Sequence, residues 1–352
     1  MDRLAAARTY LQALGVDALL VQKTDNRRYF SGFSGSAGCL VIRRNDAFLV
    51  TDGRYTAQAA KECPSSIQVV LHTGPLWRTV GEYLENCRLV GAEKNALTYE
   101  QWGELAEALA GKELVPAKLD HLRQIKDAGE IELIDEAVRI ADEAFARLMP
   151  ELHAGMTELE AAAKLEYFMR MGGAEGLAFE TIAASGTRSA LPHGQPTQKR
   201  LHAGDLFTLD FGAVYGGYCS DITRTLVIGR ADCWQRNLYA AVLEAQMTAL
   251  AVVRPGIRAS EVDAAARQVL RRYGHEAAFG HGLGHSLGLA IHEEPRFSPL
   301  CDVILTPGLV MTVEPGAYYP GVGGVRIEDT VVVTETGCRR LTQTDKQLLE
   351  IG

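Results

Sequence analysis

Paired cysteines, a basic surplus and long apolar runs are all missing from this chain. Its seven cysteines, Cys39, Cys63, Cys87, Cys219, Cys233, Cys301 and Cys338, are odd in number and scattered, and none stands in a CxxC pair. That argues for reduced thiols and against both a disulfide framework and a cysteine zinc site. A formal net charge of −8 gives no electrostatic footprint for nucleic acid or an anionic membrane surface. No stretch has the length of a membrane span, and the opening MDRLAAARTYLQALG lacks both a basic n-region and an apolar h-region. A soluble cytoplasmic protein is the expectation. The glycine-rich Gly32-Phe33-Ser34-Gly35-Ser36-Ala37-Gly38 departs from the dinucleotide fingerprint and carries no Walker lysine, so it reads as a turn.

What the chain has is length for two cores and a change of pattern partway along its 352 residues. A helix over 3–14 leads into strand-like runs at 16–21, 39–42, 47–51 and 67–71, with helical sequence at 55–62. Helices alternating with β-rich runs predict an α/β layer domain over residues 1–122. Then Ile131, Ile134, Val138, Ala141, Phe145 and Leu148 recur at steps of three and four, the stripe of a long helix that opens a second domain, 123–352. Inside it, Gly155-Met156-Thr157-Glu158-Leu159-Glu160 is answered by Gly256-Ile257-Arg258-Ala259-Ser260-Glu261-Val262-Asp263. Thr157 and Ser260, each with an acid three positions on, read as N-caps of alanine-rich helices ending at Gly172 and Gly274. Two related αβ halves would give this echo; shared capping chemistry alone is the other reading.

Leu206 to Ile228 holds the first chemically odd residues. Alternation puts Phe207, Leu209 and Phe211 on one face of a strand and Asp210 on the other. Gly216-Gly217 signals a type I′ hairpin, which pairs Tyr215 with Tyr218 and Asp210 with Thr223, and sets Asp210 and Asp221 on one face. Two facing carboxylates need a cation or a shared proton between them. Downstream, His281, His285 and His292 fall in Gly-rich sequence that suits a twisted strand or loop near a ligand better than a zinc-binding helix. Glu314 ends the apolar run before Pro315-Gly316, and Glu328 interrupts 324–333, where alternation groups Arg326, Glu328 and Thr330. Either glutamate alone reads equally as an edge residue facing water. Collected, Asp210, Asp221, His285, Glu314 and Glu328 offer oxygen-rich ligation with one nitrogen, which suits Mn, Co, Fe or Zn. Bridging carboxylates suit a pair of ions ~3.5–4 Å apart, the arrangement of metal-assisted hydrolysis.

In the contexts LDFGAVYGGYCSDITRT, GHGLGHSLGLAIHE, TVEPGAYY and GVRIEDT, the order Asp, Asp, His, Glu, Glu resembles the proline-specific metallopeptidases of the creatinase and methionine aminopeptidase superfamily. Arg28-Tyr29-Phe30-Ser31-Gly32 and Thr51-Asp52-Gly53-Arg54-Tyr55 resemble the N-terminal domain of the same proteins, so the likeness spans the whole chain. It implies a creatinase-like α/β domain followed by a pita-bread catalytic domain with pseudo-two-fold αβ halves. It further implies an enzyme, an Xaa-Pro aminopeptidase or Xaa-Pro dipeptidase (prolidase), that attacks the bond before proline with a metal-bridging hydroxide. By position, Asp221 and Glu328 bridge two divalent ions, most simply Mn, with Co, Zn or Fe as alternatives. Asp210 completes one ion's ligands, His285 and Glu314 the other's. His193 and His292 become donors near the tetrahedral intermediate, Glu314 a proton shuttle, and His281, Tyr318 and Arg326 active-site neighbours. Arg296 is placed to meet a dipeptide's carboxylate, with an ordinary surface arginine as the other reading. The partners implied are proline-containing peptides and a second copy of the chain in a homodimer. A metal-free enzyme or a binding scaffold on this fold should have lost ligands, and all five are present. Methionine aminopeptidases share the five but not the leading domain or Leu191-Pro192-His193-Gly194-Gln195-Pro196-Thr197.

Overall fold

The structure, a computed structural model, describes residues 2–352. The chain divides into two compact units between Arg123 and Gln124; residue 1 of the range expected for the first domain lies outside the described residues. In the first unit six strands form one sheet in the order Gln68–Leu71, Ala47–Thr51, Cys39–Arg43, Ala18–Val21, Leu89–Ala92, Glu113–Pro116. Its middle strands are buried on both faces, which is why they read as unbroken apolar runs. One face packs on Trp77 and Val80 from helix Leu76–Glu82 and on Leu105 from helix Tyr99–Ala108.

The second unit contains two helix pairs, each backed by a sheet. Helices Ala128–Leu148 and Glu158–Met171 cover strands Glu350–Ile351, Ile222–Ile228, Leu206–Phe211 and Ile182–Ser185. Phe207, Leu209 and Phe211 point into that core, and Phe145 stacks on Phe211 with centroids 5.8 Å apart. Helices Cys233–Val252 and Ala259–Arg272 cover a five-stranded sheet, ordered Glu293–Phe297, Gly284–Ser286, Val310–Val313, Asp329–Val333, Cys338–Arg340.

The sequence echo is a structural repeat. Gly155 and Gly256 both take left-handed φ, 94° and 85°. Gly155 N–H donates to Leu201 O at 2.8 Å and Gly256 N–H to Leu305 O at 2.9 Å, so each helix enters over the same kind of crossing. The second cap, however, is Arg258, whose N–H donates to Glu261 Oε1 at 3.1 Å. Ser260 lies inside the helix, and Asp263 is buried, accepting from Leu283 N–H at 3.1 Å. The register that aligns Thr157 with Arg258 wins because backbone entry, not the side-chain type, sets the helix start. A second correction concerns 324–333, which is not one strand. Gly323–Arg326 pairs with Gly316–Tyr319, whereas Asp329–Val333 belongs to the five-stranded sheet, and Glu328 sits in the crossover.

Candidate metal centre

The Gly216-Gly217 turn, with φ of 55° and 81°, closes the hairpin in the expected register, Tyr215 opposite Tyr218 and Asp210 opposite Thr223. At Gly212 the strands close up so far that a Cβ would lie 1.9 Å from Ser220 O. Asp210 and Asp221 therefore share the inner face, and with Glu328 they bring carboxylate oxygens within 4.8 Å of one another. His285 Nε2 extends this cluster, 3.5 Å from Asp221 Oδ2 and 3.5 Å from Glu314 Oε1. His285 reaches it because Gly284 lets its strand press on Val310–Val313, where a Cβ would stand 2.1 Å from Thr312 O. One cavity of about 760 Å³ is lined by these five residues and by His193, His281, His292, Arg296, Tyr318 and Arg326.

Arg326 organises the carboxylates from behind. Its Nη2 donates to Asp210 Oδ2 at 2.7 Å, Nη1 to Tyr318 Oη at 2.9 Å and Nε to Thr223 Oγ1 at 3.1 Å. Thr223 Oγ1 donates in turn to Glu328 Oε2 at 2.7 Å. Tyr318 Oη also meets His281 Nε2 at 3.0 Å. One oxygen of Asp210 and one of Glu328 are thus occupied. The others, Asp210 Oδ1 and Glu328 Oε1, are buried with no hydrogen-bond partner among the described residues.

Electrostatics points the same way. Burial, reinforced by Glu328 and Asp210, pushes the Asp221 carboxyl well above the usual range. Burial and the Glu314 charge do the same to Glu328. Burial lifts Glu314 to about 8 although Arg326 opposes it. His285 is pushed down to about 4 by burial and by His292, whose ring lies 4.5 Å away edge-on. With Nδ1 against Ser286 O at 3.1 Å, the neutral ring presents its Nε2 lone pair to two carboxylates. Orphaned buried carboxylate oxygens facing an imidazole lone pair fit a divalent cation, which is what would offset their mutual repulsion and lost hydration.

Sequence reasoning missed the supports. Lys126 Nζ is 3.1 Å from both Ser286 Oγ and Glu293 Oε2, and Glu293 Oε1 accepts Ala290 N–H at 3.1 Å, tying the His292 loop to a buried ion pair. Thr312 Oγ1 accepts His285 N–H at 3.0 Å and donates to Glu314 Oε1 at 3.2 Å. The one sequence signal for this support is the step of two that sets Thr312 on the same side of the chain as Glu314. The apolar wall of Phe179, Ile182 and Phe297 had no marker at all.

The model of metallopeptidase family M24 matches residues 132–335, and that of the creatinase/prolidase N-terminal domain matches 3–125. An Xaa-Pro dipeptidase of Pyrococcus furiosus is 42% identical over 350 residues, covering 99% of each chain. Among solved structures, an Xaa-Pro dipeptidase from Bacillus anthracis matches at TM-score 0.97, 39% identity and 99% coverage of each chain. An X-Pro aminopeptidase from Thermotoga maritima follows at TM-score 0.90 and 38% identity, covering 97% of this chain and 99% of its own.

Proposed function

Because this chain belongs to metallopeptidase family M24, behind a creatinase/prolidase N-terminal domain, we propose that it hydrolyses the Xaa-Pro bond, with Xaa-Pro dipeptides as its substrates. The observation that carries the peptidase reading is the set of orphaned oxygens, Asp210 Oδ1 and Glu328 Oε1, beside the His285 lone pair in the cavity. Arg296 supports the dipeptide. It stands opposite His285 on the neighbouring strand and lines the cavity, while its 3.5 Å contact with Glu294 is exposed and weak. Its guanidinium can therefore donate to a substrate carboxylate.

In this reading Asp210, Asp221, His285, Glu314 and Glu328 hold two divalent ions, with manganese the first choice and Co, Zn or Fe as substitutes. When bound, such ions supply Lewis acidity that acidifies water and polarises the scissile carbonyl. Glu314 accepts a proton from the attacking water and delivers it to the departing proline nitrogen. His193 and His292 donate hydrogen bonds to the carbonyl oxygen as it gains charge. Arg326 keeps Asp210 turned inward and orders Tyr318, whose hydroxyl reaches His281. Phe179, Ile182 and Phe297 give the pyrrolidine ring an apolar wall.

Residues 1–122 and 123–352 are proposed as the domains. Seven unpaired cysteines support a reducing, cytoplasmic setting; no helix among the described residues is long and apolar enough to cross a membrane. The homodimer is tested by sedimentation. The decisive experiment compares a dipeptide such as Ala-Pro with the tripeptide Ala-Pro-Ala on manganese-loaded protein. Turnover of the dipeptide with a raised KM in Arg296→Gln is expected. Preference for the tripeptide overturns the dipeptidase reading, and inertness toward both overturns the peptidase reading.

A further inference from the structure

The segment 186–196 carries Pro192, His193 and Gln195 to the cavity wall. Both of its ends are fastened to one carboxylate. Glu158, the first residue of helix Glu158–Met171, is fully buried. Its Oε1 accepts Ser185 N–H at 2.7 Å and Ser185 Oγ at 2.8 Å. Its Oε2 accepts Thr197 N–H at 3.1 Å and Thr197 Oγ1 at 2.7 Å. Arg188 braces the loop from inside, with Nε 3.1 Å from Glu158 Oε2 and Nη2 donating to Gln195 O. Between the ends, Gly194 O accepts Ala183 N–H at 3.2 Å, and a Cβ on Gly194 would lie 2.7 Å from Ala184 Cβ. The His193 segment therefore lies flat on strand Ile182–Ser185.

Helix capping does not explain this carboxylate. Thr157 and Glu160 already cap the helix, with Glu160 N–H on Thr157 Oγ1 at 3.1 Å and Thr157 N–H on Glu160 Oε2 at 2.7 Å. The repeat supplies an internal control. At the same step after the entry glycine, the second half carries Ala259, and its helix starts over an equivalent crossing. A buried charge is kept only where it is fully paired, and here its side-chain pairing goes to the two ends of one loop and to Arg188 within it. We infer that Glu158 is a positioning residue for the reaction: it clasps Ser185 to Thr197 and so holds His193 against the cavity. This rests on the reading of His193 as a donor to the developing oxyanion.

The test is a double-mutant cycle on manganese-loaded protein, with metal content and hydrogen exchange of the amides in 186–196 followed alongside. Displacement of a donor by about 1 Å costs up to ~100-fold. Glu158→Ala is therefore expected to lower kcat/KM by tens-fold or more, mainly through kcat, to speed exchange in 186–196 and to leave metal content unchanged. In a His193→Ala background the same change is expected to cost less than about 3-fold, because the group it positions is gone. Thr197→Val is expected to give a smaller loss of the same kind and Thr197→Ser to restore activity; this pair decides the question should Glu158→Ala not fold. His193→Ala at wild-type activity removes the reading of the site and the inference with it. An impaired His193→Ala beside wild-type Glu158→Ala and Thr197→Val, or fully additive losses, overturns the clasp alone.

Discussion

Stripped of divalent ions, the protein is expected to lose stability as pH rises from about 6.5 to about 8; lower down, His285 and His281, each held at about 4 by burial, favour the folded chain as pH rises and offset the carboxylates. Burial, opposed in part by Arg326, lifts the Glu314 carboxyl from 4.5 to about 8. Below the lower value both folded and unfolded chains hold the proton, and the group costs nothing. Above it the unfolded chain releases a proton that the folded chain keeps. Unfolding then gains about 1.4 kcal/mol per pH unit until the folded group ionises as well. Across the interval from 4.5 to about 8 the cost reaches about 5 kcal/mol for Glu314 alone. Asp221 and Glu328 are raised in the same direction and steepen the loss. The Glu314 side chain is 17% exposed, so water trims this cost without removing it. The assay is urea unfolding of chelator-treated protein at several pH values across the window, for wild type and Glu314→Gln. The amide variant is expected to show a flatter profile by several kcal/mol, and saturating manganese is expected to flatten the wild type. A metal-free wild type whose midpoint does not fall between about pH 6.5 and 8, or a Glu314→Gln profile of unchanged slope there, refutes the reasoning.

Asp221→Asn is expected to lower metal affinity more than about 100-fold and abolish turnover while the metal-free protein becomes more stable near neutral pH, since the amide does not carry the cost of a buried carboxyl kept from ionising; metal analysis and unfolding check both halves. Gly284→Ala drives a Cβ into Thr312 O, 2.1 Å away, so the strand must shift, with about 1–3 kcal/mol lost and metal affinity reduced through His285 and Glu314. Calorimetric metal titration showing wild-type binding argues against that coupling. Lys126→Met removes the ammonium 3.1 Å from the buried Glu293 carboxylate and is expected to cost about 3–5 kcal/mol, with much of it recovered in Lys126→Met/Glu293→Gln. Denaturation midpoints of the single and double variants decide this.

Much of the site was legible because misplaced chemistry is conspicuous in one dimension. Asp210 and Asp221 stand in sequence that otherwise wants apolar or β-branched side chains, and Gly216-Gly217 fixes their register through a backbone requirement that only glycine meets cheaply. The stripe from Ile131 to Leu148 likewise declares a helix without knowing what it packs on. The repeat is visible in the sequence too, but capping preference points to Ser260 where the helix caps at Arg258: side-chain preference is a local signal, whereas the crossing that starts the helix at Ala259 pairs Arg258 with Ile304.

The sequence by itself determined the residue types of the candidate centre and their order, and put Asp210 on its strand, since these follow from periodicity, turn chemistry and the cost of burying a charge. Tertiary structure alone decided which oxygens stay free. Arg326 occupies one oxygen of Asp210 across 116 positions, and Thr223 occupies one of Glu328 across 105. Glu158 reaches Ser185 and Thr197 across 27 and 39. No local pattern encodes such pairings, because hydrogen bonding depends on distance in space and the fold sets that distance only when both sheets and both helix pairs have packed.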